Sequence, residues 1–285
     1  MTGVSILMTN LESYYKKFDE EHRLTTRHGQ VEFFVTMKNI LSLAENLSQD
    51  REAGAHCGDG LQDQKAAALG PLKILDVGAA TGAYSVPLSK QGFDVTAVEL
   101  VKSNLEKLRA KHEKVKCWQG DARDLHFLDD ETFDIVLLLG PLYHLHTESD
   151  KLRALSEARR VAKKGGLIFC AYTMNEYAVI QYCFGQNKIN ENIAAGQIDQ
   201  SFKTISGDGD LYSYVRLEDI DALRQKSGME RVKIFSPDGP ADYMRRELNA
   251  MDDQTFEFFK KYALEISERP ELLGAGSHLV DVLRK

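Results

Sequence analysis

Apolar residues in this chain fall into short solid runs separated by longer stretches of helical spacing, and from residue 73 to 172 the two kinds alternate five times. Runs such as Ile74-Leu75 with Val77, and Ile135 to Leu139, are partly β-branched, as expected of parallel strands buried on both faces. The pattern predicts strands near 73–78, 93–98, 115–118, 133–139 and 166–172. Helices are predicted near 82–91, 101–112, 122–128 and 148–163. Such alternation builds a doubly wound α/β sheet with helices on both faces and ligands at the carboxyl ends of its strands.

Outside this block the pattern loosens. Residues 9–47 read as two helices, the first capped by Asn10 or Ser13. The second, from about 30 to 47, presents Phe33, Met37, Ile40, Leu41, Ala44 and Leu47 on one face. The stretch 48–70, rich in Gly, Asp and Gln, reads as a linker. Beyond 172 come two modest helical stretches and two alternating strands around a turn at Gly207-Asp-Gly-Asp210, read as a hairpin. A helix over 219–226 closed by Gly228, a strand over 232–235, helical spacing over 240–268 and a strand over 279–283 complete the chain.

Composition narrows the class. The chain has 285 residues, 43% hydrophobic and 28% charged, with a formal net charge of −7. That balance weighs against a nucleic-acid partner, because phosphate neutralisation needs Lys and Arg. No run approaches the ~18 apolar residues of a membrane span, and residues 1–10 lack a signal-peptide pattern, so a cytoplasmic location is expected. The four cysteines, Cys57, Cys117, Cys170 and Cys183, have no metal-ligand spacing, and His56 beside Cys57 has no partners at such spacing. No metal is expected.

The candidate chemistry gathers at the predicted strand ends. Gly78 and Gly82 allow a tight turn after the first strand, and Glu99 closes the second, where an acid is placed for ribose hydroxyls. The dinucleotide fingerprint asks for glycine at 78, 80 and 83, and the chain has Gly78, Ala80 and Ala83, which disfavours NAD. Asp76 lies inside the first strand, where a carboxylate needs several hydrogen-bond donors. Asp121 reads as a helix cap or a ligand acceptor.

Four segments in order, Leu75-Asp76-Val-Gly78-Ala-Ala-Thr-Gly82, Val98-Glu99-Leu100, Gln119-Gly120-Asp121-Ala122 and Phe133 through Gly140-Pro-Leu-Tyr143-His144, resemble the class I S-adenosylmethionine-dependent methyltransferases. Ala158 to Phe169 resembles that family's helix into strand five. The likeness is strong over 71–172 and loose over 216–285. It implies a Rossmann-like, doubly wound, seven-stranded, mostly parallel sheet with an antiparallel last strand. In that reading 1–70 is a helical lid and linker, 71–172 the cofactor-binding core, and 173–285 completes the sheet with cap insertions at 174–215 and 240–270.

The resemblance also implies roles. Glu99 takes the ribose hydroxyls, Leu100 flanks the adenine, Asp121 and the Ala122 amide face its amino group, and Asp76 serves the turn and the ammonium end. Gly78, Ala80 and Gly82 admit the methionine part, Gly140 offers backbone, and Tyr14 or Tyr15 folds over the cofactor; Arg23 lies in the same lid. Ala80 departs from the family's frequent Gly by one methyl. Tyr143 and His144 are the acceptor-side candidates, with His144 either a general base or a positioning wall, and metal binding by His144 and His146 is disfavoured. Gly140-Pro-Leu-Tyr143 departs from the Asn/Asp-Pro-Pro-Tyr motif of enzymes acting on planar nitrogens, which favours a small-molecule acceptor. An NAD-type oxidoreductase, a cofactor-binding protein without turnover and a tRNA or protein methyltransferase stay open, as does a homo-oligomer built on the aromatic-rich cap.

Overall fold

The computed structural model of the protein describes residues 11–14, 20–56, 70–207 and 209–285. Tyr15 and Cys57 lie outside the described residues. A long helix α1 (Arg27–His56) precedes β1 (Lys73–Val77), α2 (Ser85–Lys90), β2 (Asp94–Glu99), α3 (Lys102–Ala110), β3 (Val115–Gln119) and β4 (Phe133–Leu138). Then come α4 (Glu148–Val161), β5 (Ala162–Met174), α5 (Asn175–Ala178), which runs on as a wider turn over Val179–Phe184, and α6 (Ile189–Ala194). The chain ends with β6 (Tyr214–Val215), α7 (Leu217–Ser227), β7 (Glu230–Phe235), α8 (Arg245–Ala250), α9 (Asp253–Ile266) and β8 (His278–Arg284).

The strands form one sheet in the order β3-β2-β1-β4-β5-β8-β7, with β6 added to β5. β1 to β5 run parallel, and β8 is antiparallel to both β5 and β7. Alternate residues serve opposite faces. Ile135, Leu137 and Phe169 pack with Val31, Val35 and Ile40 of α1, whereas Val136, Leu138 and Ile168 pack with Ala154, Leu155 and Ala158 of α4. No helix among the described residues is long and apolar enough to cross a membrane.

Four expectations from the sequence change here. The helix predicted to end near 47 runs to His56, so 48–56 is helix and not linker, and residues 57–69 of the expected linker lie outside the described residues. The segment 122–128 forms turns instead of a helix. Its amides are claimed from outside an i→i−4 ladder: Arg123 N–H donates to the Asp121 carboxylate at 2.8 Å, and Leu125 N–H donates to Glu157 at 2.7 Å. The 207–210 turn closes, with Asp210 N–H donating to the Gly207 carbonyl at 2.9 Å, but it joins no hairpin. Tyr214 and Val215 pair in parallel with Thr173 and Met174 instead, which adds an eighth strand to the expected seven. Ser213 draws them there: its N–H donates to the Tyr143 carbonyl at 2.7 Å, and its own carbonyl accepts from Thr173 Oγ1 at 2.9 Å.

Candidate functional site

β1 stops because Gly78 turns at φ +75, a conformation that other residues rarely hold. A Cβ there would lie 2.8 Å from the Pro141 ring, so the two loops after β1 and β4 approach closely only because residue 78 is glycine. The Gly78 N–H donates to the Val98 carbonyl at 2.7 Å and ties the turn to β2. Ala80 is also left-handed, at φ 48. Its N–H donates to Glu99 Oε2 at 2.7 Å, and Val101 N–H donates to Glu99 Oε1 at 2.7 Å. The Glu99 carboxylate thus organises the turns after β1 and β2 while lying in the wall of a cleft.

That cleft, about 890 Å³ with its mouth included, opens at the carboxyl ends of β1, β2 and β4. Its wall includes Asp76, Gly78, Ala80, Glu99, Leu100, Asp121, Ala122, Gly140, Tyr143 and His144. Gly82 stands outside it, at φ +88 and packed toward Leu108 of α3. Asp76 is buried and accepts from Ser85 Oγ at 2.5 Å; burial pushes its pKa up to about 6. Burial likewise raises Glu99 to about 7, against the pull of its two backbone donors. Asp121 is engaged by Arg123, whose Nη2 donates at 2.6 Å and whose Nε donates at 3.0 Å.

One residue of the cleft had no signal in the sequence. Asn104, on the first turns of α3, is 2% exposed, and its side-chain Nδ2 has no hydrogen-bond partner. A buried amide donor with nothing to donate to is costly, and it faces a cleft with room for an acceptor.

Tyr143 and His144 sit on a short 3-10 turn, Pro141–His144, after β4. The Tyr143 hydroxyl donates to the Leu139 carbonyl at 3.2 Å, and burial drives its pKa well up, so the phenol stays protonated. His144 is buried, with its pKa lowered to about 4, and Nδ1 lies 2.9 Å from the Leu211 carbonyl. A carbonyl only accepts, so Nδ1 carries the proton and the neutral ring pins the cap.

Tyr143 is also the wall between the cleft and a second chamber of about 1210 Å³, mouth included. Glu20 and Arg23, from the 3-10 turn Glu20–Thr25, share that wall. Tyr14 lines the chamber and is absent from the cleft, its ring edge-on to Tyr212 at 6.4 Å. Arg23 donates to Glu20 at 3.0 Å and to both Glu32 oxygens at 2.8 and 3.0 Å. Arg245 donates twice to Asp242, at 2.7 and 2.9 Å. His278 opens β8, and its Nδ1 lies 2.8 Å from Asp238 Oδ2. Burial disfavours the imidazolium, but the adjoining carboxylate outweighs it and raises the His278 pKa to about 9.

Among the described residues the group of three or more close enough to share a metal ion is Asp238, Asp242 and His278. Nδ1 of His278 is already committed to Asp238, which makes this an ion-pair cluster as it stands. Residues 23, 32, 242, 245 and 278 come together from three distant parts of the chain, so no local motif announces them.

Residues 75–170 match the family model described as methyltransferase domain. A demethylmenaquinone methyltransferase of Staphylococcus aureus is 36% identical over 108 residues, which is 36% of this chain and 43% of that protein. The match therefore spans less than half the length of this curated relative. Among solved structures, a SAM-dependent methyltransferase from Methanosarcina mazei aligns with a TM-score of 0.51 at 13% identity, over 75% of this chain and 92% of that one, a likeness of fold. The glycine turn, the strand-end acids and the first five strands of the sheet thus fall in or beside the segment, residues 75–170, that is similar to the methyltransferase-domain family.

Proposed function

We propose that the chain is an S-adenosylmethionine-dependent methyltransferase that acts on a small-molecule acceptor. One observation carries this reading: the cleft at the strand ends and the tyrosine-lined chamber share Glu20, Arg23 and Tyr143 as a common wall. A methyl donor on one side then meets an acceptor on the other.

The residues present fit the cofactor. Glu99 retains lone pairs beyond its two amides, and Asn104 offers an unsatisfied donor. When bound, S-adenosylmethionine supplies a methyl group activated on a sulfonium. The chain itself contributes alignment and exclusion of water. Asp76 faces the methionine end, Glu99 and Asn104 the ribose, and Leu100 with Ala122 the adenine. Asp121, already bound to Arg123, serves the adenine side through its remaining lone pairs. His144, neutral and hydrogen-bonded to the cap, acts as a positioning wall, since a group with a pKa near 4 is a poor base at neutral pH.

Calorimetric titration with S-adenosylhomocysteine and with NADH tests the reading. Binding of the first and not the second is expected; the reverse would overturn it. A labelled-methyl assay across amines, thiols, phenols and quinols then reads turnover.

A further inference from the structure

Resting on that reading, we infer that the acceptor is a basic amine, bound as a cation in the chamber beyond Tyr143. Six tyrosines, Tyr14, Tyr143, Tyr177, Tyr182, Tyr212 and Tyr214, line this one cavity. Their rings stand mostly edge to face: Tyr143 and Tyr212 at 5.8 Å and 67°, Tyr212 and Tyr214 at 6.4 Å and 64°, Tyr177 and Tyr182 at 6.2 Å and 86°. Such a box presents ring faces in several directions, and a ring face attracts a cation and repels an anion.

The charged groups point the same way. Each cation at the chamber has a carboxylate already bound: Arg23 has Glu20 and Glu32, Arg245 has Asp242, and His278 has Asp238. His28, 3.9 Å from Asp242, has its pKa lowered by burial, so it adds no positive charge at neutral pH. Among the described residues that line the chamber, Glu20, Glu32 and Asp242 balance Arg23, Arg245 and His278, and Asp238 stands behind His278. An anionic acceptor would meet cations already satisfied. A cationic one meets the ring faces.

The reaction favours the same choice. The ammonium sheds its proton to solvent, and the nitrogen lone pair then forms the N–C bond as the C–S bond breaks with its electron pair left on sulfur. Positive charge thus leaves the cleft and arrives in the chamber. Carboxylates and ring faces fixed around the arriving charge stabilise the transition state relative to the neutral amine that reacts. An amine also needs no dedicated base, which agrees with a protonated Tyr143 and a weakly basic His144. All of these chamber residues except Tyr143 lie outside the matched domain at 75–170, so the preference is written in this chain's own additions.

The test uses the intact chain, alone and saturated with S-adenosylhomocysteine, titrated calorimetrically at pH 7.5 or so with phenethylamine, its neutral analogue phenethyl alcohol and the anion hydrocinnamate. The amine is expected to bind at least ~10-fold tighter than either analogue, in keeping with cation–π attraction in a desolvated box. Tyr212→Leu should weaken the amine by about 10-fold and Tyr212→Phe by less than ~3-fold, because the ring face and not the hydroxyl is what binds. Equal or tighter binding of the alcohol or the acid by the wild-type protein overturns the inference, whatever the variants do. So does labelled-methyl transfer confined to a quinol, phenol or thiol. Failure of S-adenosylhomocysteine to bind would instead sink the methyltransferase reading, and the two failures are read separately.

Discussion

Glu99 holds the two turns together and lines the cleft, and on the proposed reading its pKa makes cofactor binding pH-dependent. Its folded pKa stands near 7, above the ordinary 4.5, because burial penalises the ionised form. A ribose that donates hydroxyl protons favours the ionised acceptor, so ligand binding must be weakest where Glu99 is protonated. Affinity for S-adenosylhomocysteine is expected to rise as pH climbs from about 6 through 7 and then level off, and calorimetry over that range checks it. Glu99→Gln should bind about 5- to 150-fold more weakly at pH 8, the equivalent of ~1–3 kcal/mol for a lost charged acceptor, and should show a flatter profile. At Ala80 the left-handed backbone costs an alanine about 1–2 kcal/mol, while glycine loses roughly 0.4–1 kcal/mol through unfolded-chain entropy. Ala80→Gly is therefore expected to raise stability by up to ~1 kcal/mol, read as a higher midpoint in urea. A lower midpoint would contradict a left-handed residue 80.

Among the elements, α1 packs into the core, although it lies within the 1–70 segment that the resemblance assigns to a lid and linker. Val31, Val35 and Ile40 are wholly buried against the sheet, which makes this helix scaffold. Ile40→Ala should cost about 2–5 kcal/mol, the price of a large core cavity. The lid role then falls to the short turn carrying Glu20 and Arg23. On adding S-adenosylhomocysteine, hydrogen exchange should slow across 20–25 and stay unchanged across 35–47; slowing across both, or neither, would reject that division. The sheet was legible in the sequence because buried parallel strands announce themselves as β-branched runs, and the cleft because Gly78, Glu99 and Asp121 each sit at or within two residues of a strand's end. The hairpin and the 122–128 helix were not. In both places side chains far along the chain, Glu157 in one case and Thr173 in the other, took hydrogen bonds that local spacing assigned elsewhere. Asn104 was hidden for another reason: an Asn on a helix reads as surface until a cleft is seen beside it.

At the scale of the molecule, the Asp238–His278 pair joins the loop after β7 to the start of β8, with Asp238 Oδ2 accepting from both the His278 backbone N–H at 3.0 Å and its ring Nδ1 at 2.8 Å. The His278 pKa is raised from 6.5 to about 9 in the fold. A base whose pKa rises on folding gives stability that is complete below its unfolded value and fades as pH passes through the folded one. The wild-type protein should accordingly exceed His278→Gln in Tm by its widest margin near pH 6, with the gap closing by about pH 9.5 as the imidazolium is lost. A margin independent of pH would show that the pair carries no charge. The excursion between β5 and β6 has a different kind of consequence. It leaves the sheet after Met174 and returns at Tyr214, and those two ends are in register side by side, Thr173 with Tyr214 and Met174 with Val215. Both feet of the cap stand on the same spot of the same strand. A segment that departs and lands at one point can be exchanged while both footings, Ser213 included, stay in place. On the proposed reading, replacing 175–212 renews the chamber walls at Tyr177, Tyr182 and Tyr212 and leaves those at Arg23, Tyr143 and His278 as they are.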